Sequence, residues 1–134
     1  MPLAAKRDAG ARPDLTGWAF RAVITVIFLS AGYDKFDGTP GSGWVKIYQM
    51  IGWGQWFRIA TGVIEIVGGL LYLFPRTCYA GAALLSATML GAIVAHLTVL
   101  HDPIAIIIPG ALLAAIVIIA ARDPSLDEMV RLRD

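Results

Sequence analysis

Four long apolar runs limit this chain to one class of fold. They extend over roughly Leu15–Tyr33, Gln55–Phe74, Thr77–Leu100 and Pro103–Ala121. A helix needs about 20 mainly apolar residues to cross the hydrocarbon core of a bilayer. Only 16% of the chain is charged, compared with about a quarter of an average soluble domain. The runs therefore predict an all-α integral membrane protein, a four-helix bundle in which each run is one span.

The connections between the later runs are short. Pro75 and Arg76 alone separate the second run from the third, which predicts a tight antiparallel hairpin, and the third and fourth runs turn at residues 101–103. A chain of 134 residues leaves no room for a second domain beside four spans, so we expect a single membrane domain over residues 1–134. The basic residues form no stripe, which argues against a nucleic-acid-binding protein.

The distribution of basic residues predicts the orientation of the bundle. An even number of spans places both termini and the turn between the second and third spans on one side. That side carries Lys6, Arg7, Arg12, Arg76, Arg122, Arg131 and Arg133, and the opposite side carries Lys35 and Lys46. Because basic residues favour the cytoplasmic side, both termini are expected in the cytoplasm. Leu29 is too large for the −3 position of a signal-peptide cut after Ala31, so the first run is expected to remain as a span.

Two short amphipathic helices are predicted outside the spans. Residues 37–43 are rich in turn formers, and residues 44–51 then place Trp44, Ile47, Tyr48 and Ile51 at helical spacing. This pattern predicts an interfacial helix over about 44–51, followed by an aromatic belt at Trp53, Trp56 and Phe57. Ser125 and Glu128 have the spacing of a capping box, which predicts a cytoplasmic tail helix over about 125–133.

Glu65 is the most informative polar residue because it lies in the middle of the second run. An acidic group at the centre of a spanning helix costs about 3 kcal/mol on insertion scales, so such residues usually serve a function. Helical spacing places it on a face with other polar and small residues: Arg58, Thr61, Gly62, Gly68, Gly69 and Tyr72. Small residues mark helix–helix contacts in membranes, so Glu65 is expected to point into the bundle.

Lys35 and His96 are the predicted companions of Glu65. Side chains on a helix lean toward its N-terminus. Lys35 and His96 lie near the outer ends of helices that start on the cytoplasmic side, so both should lean into the bilayer. Glu65 is on a helix that starts outside, so it should lean outward toward them. We therefore expect Lys35, Glu65 and His96 to form a polar cluster, with Arg58 at its rim reaching toward headgroups or a polar vestibule. Arg58 lies two turns from Glu65 and leans away from it, so a direct pair is not expected. The alternative is that Lys35 anchors the interface and His96 caps a helix end.

Other residues carry structural or weak chemical signals. Small residues recur every four positions at Ala83, Ala87, Gly91 and Ala95, and again at Gly110 and Ala114, which predicts close helix packing. The single cysteine, Cys78, excludes an intrachain disulfide and a paired-cysteine redox motif. His96, His101 and Asp102 form only a weak metal-ligand pattern, so no metal site is predicted. The sequence contains no nucleotide-binding or hydrolase motif.

Several motifs resemble the DoxX family of small bacterial membrane proteins. They are Gly32–Phe36 at the end of the first span, Gly62–Leu71 in the second, Pro75–Thr77, and Met89–Leu97 in the third. The resemblance extends over roughly residues 17–121 and implies a four-helix membrane bundle. It also implies that Lys35, Glu65 and His96 occupy the recurring polar positions of the family. The family name derives from a subunit linked to archaeal thiosulfate–quinone oxidation, and other members resemble partners of membrane oxidoreductase assemblies.

Three functions remain open from the sequence. The first is a subunit or partner of a membrane redox system, in which the polar cluster binds a quinone and passes protons, with Glu65 as the carboxylate and His96 as a relay. The second is a non-catalytic binding or transport module for a small lipophilic compound, for which transport would require a homo-oligomer. The third is an assembly or anchoring subunit in which Glu65 holds the bundle together. The expected partners are the lipid bilayer and a membrane or peripheral oxidoreductase.

Overall fold

The computed structural model describes residues 15–122 and 131–133, and its elements there are all helical. Four stretches are long and apolar enough to cross a membrane, which confirms the predicted four-helix membrane bundle. The elements are α1 (Leu15–Asp34), α2 (Gly43–Ile51), α3 (Gln55–Leu73), α4 (Cys78–Thr98), a 3-10 turn (Ile104–Ile106) and α5 (Ile107–Ala121). Most of the predicted tail helix over 125–133 lies outside the described residues.

The short helix α2 forms because both of its ends are capped. At its start, the Ser42 side chain accepts a hydrogen bond from the Val45 amide at 3.4 Å. At its end, Gly52 adopts a left-handed conformation (φ 82°) and its amide donates to the Tyr48 carbonyl. Val45 and Tyr48 are buried, whereas Lys46 and the residues around position 50 are exposed. This amphipathic helix lies between the first two spans, at the position where an interfacial helix was predicted.

The spanning helices pack in the order α1, α3, α4, α5, with α3 between α1 and α4. Glycines bring them close together. A Cβ built on Gly32 in α1 would lie 2.8 Å from the Gly62 carbonyl oxygen in α3, and a Cβ on Gly81 in α4 would lie 2.4 Å from the Tyr72 nitrogen. Real side chains do not tolerate these distances, so glycine is required at both crossings.

The apolar core occupies the end of the bundle away from α2. Tyr72, Phe28, Leu85, Ile116 and Cys78 are its largest fully buried side chains. The Tyr72 hydroxyl donates to the Ile116 carbonyl at 3.0 Å, so the polar atom of the largest core residue is satisfied by the backbone of α5. We call this region the apolar core.

The predicted small-residue seams do not pack within the chain. Ala83, Ala87 and Gly91 are exposed, and a Cβ on Gly91 or on Gly110 would meet no atom within 4 Å. The buried face of α4 instead carries Gly81, Leu85 and Met89, which also repeat every four residues. The prediction was wrong because two faces of α4 share the same spacing, and only the neighbouring helices decide which one is buried.

Candidate functional site

Lys35 and Glu65 form an ion pair inside the bundle. The Lys35 Nζ lies 2.7 Å from the Glu65 Oε2, and each residue is only 3% exposed. Lys35 follows the last turn of α1, and its ammonium also donates to the Ala31 carbonyl at 3.4 Å. The side chain therefore runs back along α1 toward the middle of the bundle, as side chains on a helix usually do. Glu65 meets it from the buried face of α3.

Gly62 leaves the space through which Lys35 reaches Glu65. A Cβ on Gly62 would lie 3.2 Å from the Lys35 Cβ and 2.9 Å from the Gly32 carbonyl oxygen. Gly62 is one turn away from Glu65 on the same face of α3. The close crossing of α1 and α3 and the ion pair are therefore parts of one arrangement.

Trp44 covers the ion pair from α2. The Lys35 Nζ lies 3.8 Å from the centroid of the Trp44 ring, which is a close cation–π contact. An ammonium has three N–H donors, and here they face the Glu65 carboxylate, the Ala31 carbonyl and the Trp44 ring. The charge of Lys35 is therefore met on every side by groups of this chain.

Arg58 joins the loop before α2 to the body of the bundle. Its Nε donates to the Gln55 Oε1 at 2.7 Å, and its Nη1 donates to the carbonyls of Lys35 and Asp37, the latter at 3.1 Å. Arg58 is only 6% exposed, so it does not reach toward the headgroups, which was one of the two predicted directions for its side chain. The side chain binds the backbone that leaves α1 and thereby holds Lys35 in position. These hydrogen bonds join Arg58 to Gln55 and to backbone carbonyls, and none of them reaches Glu65.

His96 does not join the pair by any hydrogen bond or ion pair that the structure shows. The antiparallel helices α3 and α4 meet where Gly68 lies beside Leu85 and Tyr72 lies beside Gly81. Counting from these contacts along both helices places Glu65 level with about Thr88. His96 is eight residues further along α4, which corresponds to about 12 Å at the helical rise. Its Nδ1 is buried without a hydrogen-bond partner among the described residues. A role for His96 in the site remains a prediction.

The loop and helix around the pair contain two further polar groups with shifted acidity. Hydrogen bonds from the Thr39 hydroxyl and amide lower the pKa of the exposed Asp37 carboxyl. Burial raises the pKa of the Tyr48 phenol, whose ring packs edge-on against Phe57. Tyr48 is therefore a neutral anchor of α2, and Asp37 is a stable charge at the start of the loop.

Sequence reasoning missed Trp44 as a site residue. Trp44, Ile47, Tyr48 and Ile51 share the helical spacing that indicates an interfacial helix, and a tryptophan there usually only sets depth in the membrane. The available signal was the short loop between Lys35 and α2, which begins at Gly43. A helix so close in sequence can fold back over the end of α1.

An ammonium and a carboxylate in contact can exchange hydrogen bonds and protons with a bound molecule. Two shallow surface grooves, one lined by residues within 71–77 and one by residues within 15–23, lie away from Lys35 and Glu65. Among residues 15–122 and 131–133, no group of three histidine, cysteine or acidic side chains could hold a metal ion. The ion pair is therefore the main chemical feature of the described bundle.

The sequence matches the model of the DoxX-like family over residues 19–119, which is most of the chain. No curated protein and no solved structure gave a significant match. The matched range contains all four spans almost in full and includes Lys35, Trp44, Arg58 and Glu65. The chain is thus a multi-pass membrane protein that belongs to the DoxX-like family.

Proposed function

We propose that this chain is a non-catalytic membrane subunit that works beside an oxidoreductase in a quinone-linked membrane system. Its polar site is the Lys35–Glu65 pair. The observation that carries the proposal is the 2.7 Å contact between two charged groups that are each 3% exposed inside a membrane bundle. Such groups in a membrane interior commonly mark ligand or proton sites.

Stability alone gives no reason for this pair. Two buried charges lose their hydration, and apolar side chains of similar volume often stabilise a fold equally well or better. The other end of this bundle packs around Phe28, Tyr72 and Leu85 without an ion pair among those residues. Arg21 of α1 is also buried toward that end, so the functional reason for the α2 end lies in the Lys35–Glu65 contact inside the spanning bundle.

A quinone is the ligand class that the chemistry of the pair supports best. Quinones dissolve in membranes, and their carbonyl oxygens take up protons when the quinone is reduced to a quinol. The Lys35 ammonium can donate a hydrogen bond to such an oxygen, and the Glu65 carboxylate can accept or return a proton. Electron transfer belongs to the partner oxidoreductase in this proposal, and this chain binds the carrier and handles its protons.

Purification from native membranes tests the proposal. We expect the tagged wild-type chain in mild detergent to retain quinone and an oxidoreductase, both identified by mass spectrometry. Glu65→Gln should reduce the retained quinone by about tenfold, the factor expected for loss of one charged hydrogen bond. Thr98→Val is the matched control, because the exposed Thr98 hydroxyl bonds only to its own helix at Val94. Equal quinone content in all three proteins would contradict the proposal.

The second candidate is an assembly or anchoring subunit, favoured by the complete enclosure of Lys35. In that case the double variant Lys35→Met/Glu65→Gln should stay as unstable as Glu65→Gln, and the wild type should keep its protein partner with no quinone in any sample. Retention of quinone without an oxidoreductase would instead support a binding module for a lipophilic compound.

A further inference from the structure

We propose that α2 is a movable cover over the Lys35–Glu65 pair, and that a planar, oxygen-bearing lipophilic ring reaches Lys35 by displacing Trp44. This inference rests on the proposed function, because it names the route by which a ligand enters that site. It adds Trp44 as a residue that controls access and α2 as the element that moves.

The donors of Lys35 show why access requires movement. Its ammonium is engaged by the Glu65 carboxylate at 2.7 Å, the Ala31 carbonyl at 3.4 Å and the Trp44 ring at 3.8 Å. The first two partners belong to spanning helices and stay with the bundle. The Trp44 ring belongs to a separate short helix, so it is the one partner that can leave without opening the bundle.

The attachment of α2 is weak compared with that of the spanning helices. Its main neighbour is α3, through the buried Val45 and Tyr48 and through a hydrogen bond from the Gln55 side chain to the Val45 carbonyl at 3.2 Å. A helix of nine residues with two buried side chains has little local stability. It can separate from α3 while α1, α3 and α4 stay packed.

Glycines on both sides of α2 provide the hinges. Gly41 precedes the helix with φ 89°, and Gly52 and Gly54 follow it with φ 82° and φ 92°. Gly41 and Gly52 have no atom within 4 Å of a built Cβ, so no neighbouring element packs against them. Hinges commonly consist of a few loop or helix-terminal residues that absorb such changes.

The geometry also indicates the class of ligand. The group that leaves Lys35 is a flat aromatic ring, so a flat ring can occupy the same space, and its carbonyl or hydroxyl oxygen can accept a hydrogen bond from the Lys35 ammonium that faced Trp44. Trp53 and Trp56, which follow α2, are 65% and 67% exposed, as expected for a segment at a membrane interface. The ligand is therefore expected to arrive from the lipid phase at this end of the bundle.

Labelling with dicyclohexylcarbodiimide, a lipophilic reagent for carboxyl groups, measures access to Glu65. The reagent activates the carboxyl, which then yields either an N-acylurea on Glu65 or an amide with Lys35, and both products are counted by mass spectrometry. We expect Trp44→Ala to label about fivefold faster than the wild type, the factor that corresponds to loss of an ordinary cation–π contact. Trp44→Phe keeps a ring and should label at nearly the wild-type rate.

Trp53→Ala is the matched control, because it removes an exposed tryptophan that contacts Phe57 but is not placed against Lys35. Its labelling rate should equal that of the wild type. Equal rates for Trp44→Ala and Trp53→Ala would overturn the proposal. Decylubiquinone added to the wild type should slow labelling of Glu65, whereas unchanged labelling at saturating concentration would overturn the assignment of ligand class.

A measurement on the wild type alone covers the case in which Trp44→Ala does not fold. Amide hydrogen exchange should show residues 43–51 exchanging together and faster than the middle of α3. Exchange of α2 as slow as that of α3 would show that the cover does not open. The labelling and exchange measurements need no partner protein. The proposal that α2 moves can therefore be refuted even if native quinone co-purifies with the chain. Conversely, a lack of native quinone would refute the proposed function without changing the labelling result.

Discussion

The two ends of this bundle use close helix crossings at glycines for different purposes. At the α2 end, Gly32 and Gly62 bring α1 and α3 together around a Lys35–Glu65 pair. At the other end, Gly81 brings α4 against α3 beside Tyr72, and the surroundings are apolar. In the apolar core the Thr25 and Tyr72 hydroxyls donate to backbone carbonyls, whereas at the α2 end Lys35 and Glu65 pair with each other. The apolar core packs the helices together, and the α2 end holds the ion pair on which the proposed function rests.

Substitution of the ion pair should change the stability of the bundle more than any other substitution considered. Glu65→Gln leaves Lys35 buried without its partner, and the free energy of unfolding should fall by about 3–5 kcal/mol. Lys35→Met/Glu65→Gln removes both charges and should recover most of that loss. Thermal or denaturant unfolding in one detergent measures all three proteins. A double variant as unstable as Glu65→Gln would mean that the pair itself stabilises the bundle.

A substitution in the apolar core should produce the next largest effect. Gly81→Ala forces a methyl group against the backbone at Tyr72, where the built Cβ lies 2.4 Å from the Tyr72 nitrogen. Such overpacking costs about 1–3 kcal/mol. Gly91→Ala is the control on the same helix, because its Cβ would meet nothing within 4 Å. Similar melting temperatures for the two variants would show that the crossing of α3 and α4 is looser than described.

Arg58→Lys tests whether the α2 end depends on hydrogen-bond geometry as well as on charge. Lysine keeps the positive charge but cannot make the separate bonds to Gln55 and to the carbonyls of Lys35 and Asp37. We expect a loss of about 1–2 kcal/mol and faster amide exchange in residues 35–42. Unchanged exchange there would indicate that charge alone holds the loop.

The smallest effect concerns pH and the loop before α2. Hydrogen bonds from Thr39 lower the pKa of Asp37 below its ordinary value of 3.8. The ionised carboxylate therefore favours the ordered loop above that pH, and the contribution is lost as the pH falls through the lower value of the folded state. Amide exchange at Thr39 should accelerate in that acidic range. Asp37→Asn should show no such dependence, and an identical pH profile for both proteins would refute the assignment.

The sequence predicts the spanning helices well because their length and hydropathy are set by the membrane. Each predicted run agrees with the structure to within two residues at each end. The inward direction of Glu65 also follows from sequence, since the small residues around it mark the buried face of α3. These features depend on one helix at a time.

Features that depend on two helices could not be predicted in the same way. The level of His96 relative to Glu65 depends on how α4 slides along α3, which Gly68 and Gly81 set only once the helices are paired. The contact between Trp44 and Lys35 depends on how the loop after α1 folds back. The exposed face at Ala83 and Ala87 was indistinguishable by spacing from the buried face at Leu85 and Met89.

The absence of a side chain at Gly32 and Gly62 has a consequence for how such a protein can change over time. A methyl group at either position would push two helices apart and, with them, the opposite charges that they carry. A lineage that keeps the acid and the base must therefore keep both glycines, whereas the glycines can persist for close helix packing alone.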